Sequence, residues 1–275
     1  MRPVIWHNPD CGTSRNVLHI LRESGEEPDV VLYRETPPPR AEIARVVAAS
    51  GMALRDAMRR KGTPFEELGL DDAALGDEDL LDAIEKHPIL LNRPFVQTEQ
   101  GVALCRPAER VFDLVTRDIP ANLTRTDGSP LVIDREIASG ETGLAEALAA
   151  ELLPTGDLAD TGTRFFAYAT PDGIHVGYGG FEGHGRGALI RSVVIDKARR
   201  GQGLGKLAVA MLLRRAFDAG ARTAWLLTET AADSFASCGF TPAARDEAPA
   251  AISETRQFVD LCPQSATLMR KIISL

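Results

Sequence analysis

The sequence predicts an α/β protein whose 275 residues form two domains. Three observations support this prediction. The chain begins with a strand, a helix and a second strand, and a glycine-rich loop later joins a strand to an amphipathic helix near residue 204. Between these regions, residues 118–130 lack sustained periodicity and contain Pro120, Gly128 and Pro130, which predicts a linker. The predicted domains are therefore residues 1–117 and 131–275.

Composition narrows the class of protein. Hydrophobic residues make up 44% and charged residues 25%, as in soluble globular proteins, and the net charge of −8 argues against a nucleic-acid partner. The four cysteines have no paired spacing, so we expect neither a disulfide framework nor a metal site. The N-terminus is unlike a signal peptide, and no run approaches the ~18 apolar residues of a membrane helix. We expect a cytoplasmic protein with reduced thiols and no membrane partner.

The elements of the first domain follow from apolar spacing and from chain breakers. Short apolar runs predict strands at 3–6 and 30–32, and helical spacing predicts a helix at 14–24 that stops at Gly25. Two further helices are predicted at 39–50 and 77–85. A hairpin is predicted from strands 95–98 and 102–105, after which Pro107 suits the first turn of a closing helix through Val115.

The second domain is predicted in the same way. Its expected elements are a helix at 141–152, strands at 164–169, 175–181 and 188–195, a helix opening after residue 203, and a strand at 224–228. The glycines of 177–187 predict a bent strand and a hairpin.

Cys11 is the first candidate for chemistry. It follows a strand and precedes a helix, where free N–H groups and the helix dipole favour a thiolate and a bound anion. The competing interpretation is an ordinary small loop residue. Ser14 is a candidate supporting residue, because its hydroxyl can donate to the thiolate or cap the helix. His7 can tune Cys11 or can be a hydrogen-bonded structural histidine.

Three arginines, Arg59, Arg93 and Arg106, each stand beside a structural break. Guanidinium groups stay charged and bind oxyanions in a bidentate fork. Arg93 precedes a proline and a strand, which suits a fixed turn whose peptide bond can be cis. Taken singly, each arginine is more simply a solvated surface side chain.

Taken together, these residues resemble a known family. The segments HNPDCGTSRN, ETPP, PFEELGL, HPILLNRP and LCRP, spread over residues 3–116, look like those of the glutaredoxin-linked arsenate reductases. The resemblance implies a thioredoxin-like fold, Cys11 as the nucleophile, and Arg59, Arg93 and Arg106 as the arsenate-binding cluster. Arg59 is preferred to Arg60 because it keeps the family's spacing to the PFEEL block. The resemblance also implies glutathione as co-substrate and glutaredoxin as the partner that regenerates Cys11.

The implied chemistry is coherent with the residues. Arsenate is a dianion near neutral pH, so fixed positive charges are needed to offset its repulsion of a thiolate. No flavin or nicotinamide fingerprint is present, and thiols must therefore supply the two electrons. No second cysteine lies in the Cys11 loop, so we expect an external resolving thiol. Cys105, which precedes Arg106, is either an internal resolving thiol or a packed strand-end residue.

The loop RGQGLG, residues 200–205, follows a strand and opens a helix, so its glycines and first-turn N–H groups can bind a phosphate. Lys206 breaks the Rossmann pattern, and no P-loop Gly-Lys-Ser/Thr is present. With the strand at 224–228 and the segment ADSFASCGF, this order resembles the GCN5-related N-acetyltransferases, an α+β fold with a mixed sheet. The resemblance implies acetyl-CoA as co-substrate, with its pantetheine arm at Val193, Val194 and Ile195 and its pyrophosphate at Gly201, Gln202, Gly203, Leu204, Gly205 and Lys206.

Two residues bear on the activity of the second domain. Phe235 stands where the family often has a proton-donating tyrosine, so either water donates the proton or the activity is limited. Glu182 is a candidate general base for a small-molecule amine acceptor, with a solvated charge as the alternative. The tail from Ala248 to Lys271 looks like that of acetyltransferases associated with arsenic resistance, which makes the expected protein bifunctional.

Each domain has a rival interpretation from another class. For the first, the rival is a binding protein, a thioredoxin-like transcription factor that contacts RNA polymerase. Those relatives usually have a CxxC pair or lack the three arginines. The second could be a non-catalytic acetyl-CoA-binding module, which the phenylalanine at 235 leaves open.

Overall fold

The computed structural model describes all residues from Met1 to Leu275. They separate into two compact units, Met1–Ser129 together with Leu275, and Pro130–Ser274. None of the helices combines the length and the apolar character needed to cross a membrane.

The segment that the sequence predicts as a linker is attached to the first unit up to Ser129. Arg125 forms an ion pair with the fully buried Glu109. The N–H and the hydroxyl of Thr126 donate to Asn16 Oδ1, at 3.0 and 2.7 Å. The sequence could not show this attachment, because Thr126 and Asn16 are 110 positions apart.

The first unit has the thioredoxin-like α/β arrangement that the sequence predicts. Its four-stranded sheet has the order β2-β1-β3-β4, in which β1 is parallel to β2 and antiparallel to β3. Most predicted elements lie within about two residues of the observed ones. The elements are β1 (Val4–Trp6), α1 (Gly12–Glu23), β2 (Asp29–Val31), α2 (Arg40–Ala49), α3 (Asp77–Lys86), β3 (Phe95–Thr98) and β4 (Gly101–Leu104).

The predicted closing helix through Val115 is wrong in type and length. The structure has a short 3₁₀ helix at Ala108–Asp113. Ala108, Val111 and Leu114 are all buried, and their spacing of three residues matches the three-residue turn of a 3₁₀ helix.

The second unit is a seven-stranded sheet in the order β10-β11-β9-β8-β7-β6-β5, flanked by helices. All neighbouring strands are antiparallel except β8 and β9. The glycine-rich run extends β7 three residues beyond its predicted end. The elements are β5 (Ile133–Ile137), α4 (Thr142–Ala150), β6 (Thr163–Ala169), β7 (His175–His184), β8 (Gly187–Ile195), α5 (Leu204–Asp218), β9 (Thr223–Thr228), α6 (Ala232–Ala236), β10 (Thr241–Pro242), α7 (Ala250–Ser253) and β11 (Thr267–Ile272).

The two parallel strands in the centre of this sheet, β8 and β9, separate partway along their length. β8 and β9 pair at only three positions, from Gly187↔Thr223 to Leu189↔Trp225, and then separate. Beyond that point β8 stays paired with β7, and β9 stays paired with β11. The second half of β8 therefore has one backbone edge without a neighbouring strand.

Candidate active sites

Cys11 lies at the start of α1, as its N-cap residue in an extended conformation with φ −99° and ψ 117°. Its N–H donates to Asn8 O at 3.0 Å, so the chain turns tightly between β1 and the helix. The backbone N–H groups of Thr13 and Ser14, in the first turn, favour the charged form of this sulfur. The helix thus presents its positive end to the thiol, as the sequence predicts.

The environment of Cys11 lowers the pKa of its thiol below the ordinary value of 9.0. Burial, the largest single influence, acts in the opposite direction because it disfavours the charged form. The Ser14 N–H, the positive charges of Arg93 and Arg106, and the Thr13 N–H together outweigh burial. The site is therefore built to hold a thiolate.

Arg93 and Arg106, two of the three predicted arginines, flank this sulfur. Arg106 Nη1 lies 4.0 Å from Cys11 Sγ and 3.4 Å from the carbonyl oxygen of Arg93. Arg93 is only 6% exposed, and its Nε makes no hydrogen bond within the protein. A buried guanidinium with an unpaired donor is costly unless an anion binds it. Both arginines precede cis prolines, and Arg93–Pro94 was the bond for which the sequence suggested this geometry.

The backbone of Arg59, the third predicted arginine, lies near this site. Met58 forms a bridge with Leu91, and Arg59 N donates to Leu90 O at 2.6 Å, so the residue is fixed beside the loop that carries Arg93. In this structure its guanidinium is directed toward the Gly62 backbone. The backbone of Arg59 is thus close to the loop that carries Arg93, but the structure shows no contact between Arg59 and Cys11.

Arg60, the neighbour that could be confused with Arg59, is engaged elsewhere. It forms an ion pair with Asp71, and its guanidinium stacks 4.5 Å from the ring centre of Phe65. These contacts engage Arg60 in the structure, and Arg59 stays the predicted third arginine of the arsenate-binding cluster.

His7 and Ser14 form one hydrogen-bond network under the Cys11 loop. Ser14 Oγ accepts from the N–H of Asn8 at 3.0 Å and shares a hydrogen bond of 3.1 Å with His7 Nδ1. Burial is the first of the effects that lower the pKa of His7, which keeps the imidazole neutral near pH 7. The sequence offered the Ser14 hydroxyl as a donor to Cys11 or as a helix cap, whereas the structure has this hydroxyl hydrogen-bonded to Asn8 and His7, and α1 has no side-chain cap.

Tyr33 is a residue of this site that the sequence did not suggest. It is 1% exposed, and its hydroxyl donates to Leu91 O at 3.3 Å. Burial is the largest cause that raises its pKa to about 12, and its charged neighbours include Cys11, Arg93 and Arg106. The available signal was its position directly after β2, since parallel β1 and β2 end at the same edge of the sheet.

Cys105 is fully buried at the end of β4, where its Sγ lies 3.8 Å from the carbonyl oxygen of Ala103. None of the four cysteines forms a disulfide. A thiol without solvent exposure cannot exchange with an external disulfide unless the strand end opens, so burial favours a packing role for Cys105.

Alkylation of Cys11 by iodoacetamide, followed as a function of pH by mass spectrometry, is expected to have a midpoint below 9, the ordinary thiol pKa. As pH falls through this lowered pKa, the thiolate is protonated and the reaction slows. Replacing Arg106→Gln removes a positive charge, which should move the midpoint about one pH unit higher. Cys238 and Cys262 provide internal controls, because burial raises the pKa of both thiols. An unchanged midpoint in the variant would show that Arg106 does not act on the sulfur.

The second candidate site lies where β8 leaves β9. The pairing of β7 with β8 passes from Tyr178↔Val194 to Gly180↔Arg191, so β8 contains one extra residue there. Ser192 takes up this bulge with a left-handed φ of 54°. The bulge redirects the backbone of Val193 to Ile195, the residues predicted to contact a pantetheine arm, along the open edge of the strand.

The predicted phosphate loop follows directly. Gly201 and Gly203 have φ values of 78° and 79°, a region that favours glycine, and added Cβ atoms on both would point into open space. Gly203 is the N-cap of α5, a helix of 15 residues whose first N–H groups have no partner within the helix. Arg200 is held by the Ile195 carbonyl at 2.9 Å and by Glu151 at 3.0 Å, which fixes the loop entrance.

Glu182, the predicted base, lies within a cluster of charged groups. Its carboxylate is 3.0 Å from His184 Nε2 and 3.9 Å from Arg191 Nη1. The buried Arg191 is in turn paired with Asp157 at 2.6 Å, and Gln257 donates to the same carboxylate at 2.7 Å. Sequence patterns missed this network, because it joins residues 34 and 100 positions apart.

The register places Glu182 at some distance from the predicted acetyl site. Glu182 pairs with Leu189, four strand positions before Val193, which corresponds to roughly 13 Å along the strand. A carboxylate at that distance can remove a proton only through water.

Phe235 lies half-buried on α6, with its ring edge against Phe240 at 5.8 Å between centroids. It has no proton to donate.

Comparisons with known proteins match each unit separately. The ArsC family matches residues 6–114, and the Acetyltransferase (GNAT) family matches residues 135–240. An arsenate reductase from Rhizobium meliloti (strain 1021) is 49% identical over 132 residues, which cover 48% of this chain and 94% of that protein. An arsenate reductase structure from Vibrio cholerae is 37% identical, with a TM-score of 0.40 and coverage of 41% of this chain and 96% of that one.

The second unit is similar in fold to part of N-acetylglutamate synthase from Neisseria gonorrhoeae, whose structure was solved with coenzyme A and N-acetyl-glutamate. The two are 16% identical, with a TM-score of 0.43 and coverage of 53% of this chain and 36% of that chain.

Proposed function

The chain belongs to the ArsC family through its first unit and carries a GNAT-family acetyltransferase domain in its second. From this premise we propose that the first unit reduces arsenate to arsenite with glutathione and glutaredoxin. We propose also that the second unit transfers an acetyl group from acetyl-CoA to an amine. The observation that carries the reductase half is the Cys11 thiol between Arg106 and the buried Arg93, whose Nε makes no hydrogen bond within the protein. The reaction requires reduced thiols, so we place the protein in the cytoplasm.

Reduction begins with binding. Arg93 and Arg106 each donate one or two charge-assisted hydrogen bonds to an arsenate oxygen. The side chain of Arg59 reorients and binds a third oxygen. The Cys11 thiolate then attacks arsenic, an As–S bond forms, and one oxygen leaves as water after protonation. The arginines stabilise the negative charge that develops on the remaining oxygens.

The two electrons come from two external thiols. Glutathione replaces a second arsenic oxygen, which leaves as water, and the arsenic then carries two sulfur ligands. The glutaredoxin thiolate attacks the glutathione sulfur, a disulfide forms, and the electron pair of the broken As–S bond stays on arsenic. As(V) becomes As(III), and water displaces Cys11 to release arsenite. Overall, arsenate and two thiols give arsenite, a disulfide and water.

Replacing Cys105→Ser is expected to leave arsenate reduction within about threefold of wild type, because Cys105 is buried and the second sulfur comes from glutathione. The measurement is arsenite formation with glutathione and glutaredoxin supplied. Cys262→Ser, which changes a cysteine in the other unit, is the matched control. A Cys105→Ser variant with no activity and an unchanged melting temperature would mean that Cys105 is an internal resolving thiol.

The acetyltransferase half rests on the open edge of β8 and the adjoining glycine loop. The backbone of Val193, Val194 and Ile195 lies along the pantetheine arm, and residues 201–206 bind the pyrophosphate through N–H groups at the start of α5. The chain of Arg191, Asp157 and Gln257 holds Glu182 in place, and Glu182 receives the amine proton through water.

The leaving thiolate of coenzyme A must be protonated without help from residue 235. Since Phe235 has no hydroxyl, water supplies this proton. The test is release of free coenzyme A thiol from acetyl-CoA in the presence of a panel of amines that includes amine-bearing arsenicals. Acetyl-CoA binding without turnover on any amine would favour a non-catalytic module in the second unit.

A further inference from the structure

A cavity of about 230 Å³ opens beside the Cys11 loop. One wall comes from the loop after β1 and the other from the turn after β2, and its lining includes Asn8, Pro9, Asp10, Leu32, Arg34 and Glu35. The arginines that flank the sulfur do not line it. Asp10 directly precedes Cys11, so the cavity lies beside the loop that carries the cysteine and leaves the oxyanion-binding groups free.

The rim of the cavity carries one positive and two negative side chains. Arg34 Nη1 lies 3.3 Å from Asp10 Oδ2, and Glu35 follows Arg34 in the chain. The Arg34 side chain is 42% exposed and that of Asp10 is 82% exposed. An exposed pair of this kind contributes little to stability, so a charged ligand can replace it. The pattern of charges is complementary to a zwitterion, with Arg34 for a carboxylate and the two acidic residues for an ammonium group.

The volume limits what can bind. Pockets for drug-sized molecules occupy roughly 300 to 1,000 Å³, so this cavity accepts one arm of a small peptide and no larger part. A γ-glutamyl group carries a carboxylate and an ammonium on one carbon, whereas a glycyl end carries a carboxylate alone. Only the first matches both signs of charge at the rim.

We propose that this cavity binds the γ-glutamyl arm of glutathione, with Arg34 on its carboxylate and Asp10 and Glu35 on its ammonium group. The proposal rests on the proposed reductase function. With the arm held there, the glutathione sulfur attacks the arsenic bonded to Cys11. An As–S bond forms, an As–O bond breaks, and the arsenic hydroxyl leaves as water with the thiol proton. No electron is transferred in this step, and binding raises the local concentration of the attacking thiol.

The experiment is an equilibrium titration followed by NMR, with S-methylglutathione as an unreactive probe. Arg34→Ala should weaken binding about tenfold, the effect of losing one charge-assisted contact. Arg45→Ala is the matched control, since Arg45 is also exposed and paired with a neighbouring carboxylate, that of Glu42. In wild type, S-methyl-γ-glutamylcysteine should bind like S-methylglutathione, and N-acetyl-S-methylcysteinylglycine, which has no ammonium group, should bind at least tenfold more weakly.

Kinetics provide a second measurement. Arg34→Ala should raise the KM for glutathione about tenfold and leave the KM for arsenate unchanged, which general damage to the site would not do. Equal binding of the two dipeptide probes, or equal behaviour of the Arg34 and Arg45 variants, would overturn the proposal. Absence of any arsenate reduction by wild type would instead refute the reductase function, because the titration requires no turnover.

Discussion

Replacing Cys11→Ser should lower the rate of arsenate reduction at least a thousandfold while acetyl-CoA binding stays unchanged. The serine hydroxyl keeps its proton near neutral pH, so it cannot form the bond to arsenic that a thiolate forms. The N–H groups of Thr13 and Ser14 and the two flanking arginines lower a thiol pKa effectively, but the same environment cannot ionise an alcohol. Arsenite formation with glutathione and glutaredoxin present is the measurement.

The same variant separates binding from chemistry. Arg106 also donates to the carbonyl oxygen of Arg93, and Arg93 is buried, so both arginines should keep their positions when the sulfur is lost, and Cys11→Ser should still bind arsenate in a calorimetric titration within about threefold of wild type. Cys238→Ser is the matched control, because Cys238 is half-buried like Cys11 but burial raises the pKa of its thiol. Residual activity of more than a few per cent in Cys11→Ser would mean that another thiol attacks arsenic.

The sequence predicted the features of the two sites that depend only on residues close together in the chain. A cysteine between a strand and a helix predicts a thiolate at a helix N-terminus, and the structure has Cys11 there. Glycines at 201 and 203 predict a loop that needs positive φ values, and both glycines have them. Both predictions depend only on residues that are neighbours in the chain, because the types of those residues restrict the local backbone conformation.

Long-range geometry was not accessible in this way. The Ser192 bulge depends on how β7 and β8 pair, and nothing in the residues around 192 specifies one extra position. The hydrogen bond from Tyr33 to Leu91 joins residues 58 positions apart. The partners of the Ser14 hydroxyl show the same limit, because it is the packing of the loop that brings Asn8 and His7 to it.

Replacing Gly203→Asp is expected to weaken acetyl-CoA binding about a hundredfold, or about 2.7 kcal/mol. Residue 203 has a φ of 79°, and an added Cβ would point into open space at the start of α5. A carboxylate there lies where the proposed pyrophosphate binds, and like charges placed side by side cost several kcal/mol. Calorimetric titration with acetyl-CoA measures the loss, and arsenate reduction should be unaffected because its residues lie in the first unit.

Gly203→Asn is the control that separates charge from shape. Asparagine and aspartate have nearly the same size, and both adopt positive φ values more readily than most residues, so either variant should fold. Without a negative charge, asparagine should weaken binding less than tenfold. If both variants lose binding equally, the loop requires glycine for close backbone approach and the charge is irrelevant. If neither loses it, the phosphates bind elsewhere, and the start of α5 cannot be the pyrophosphate site.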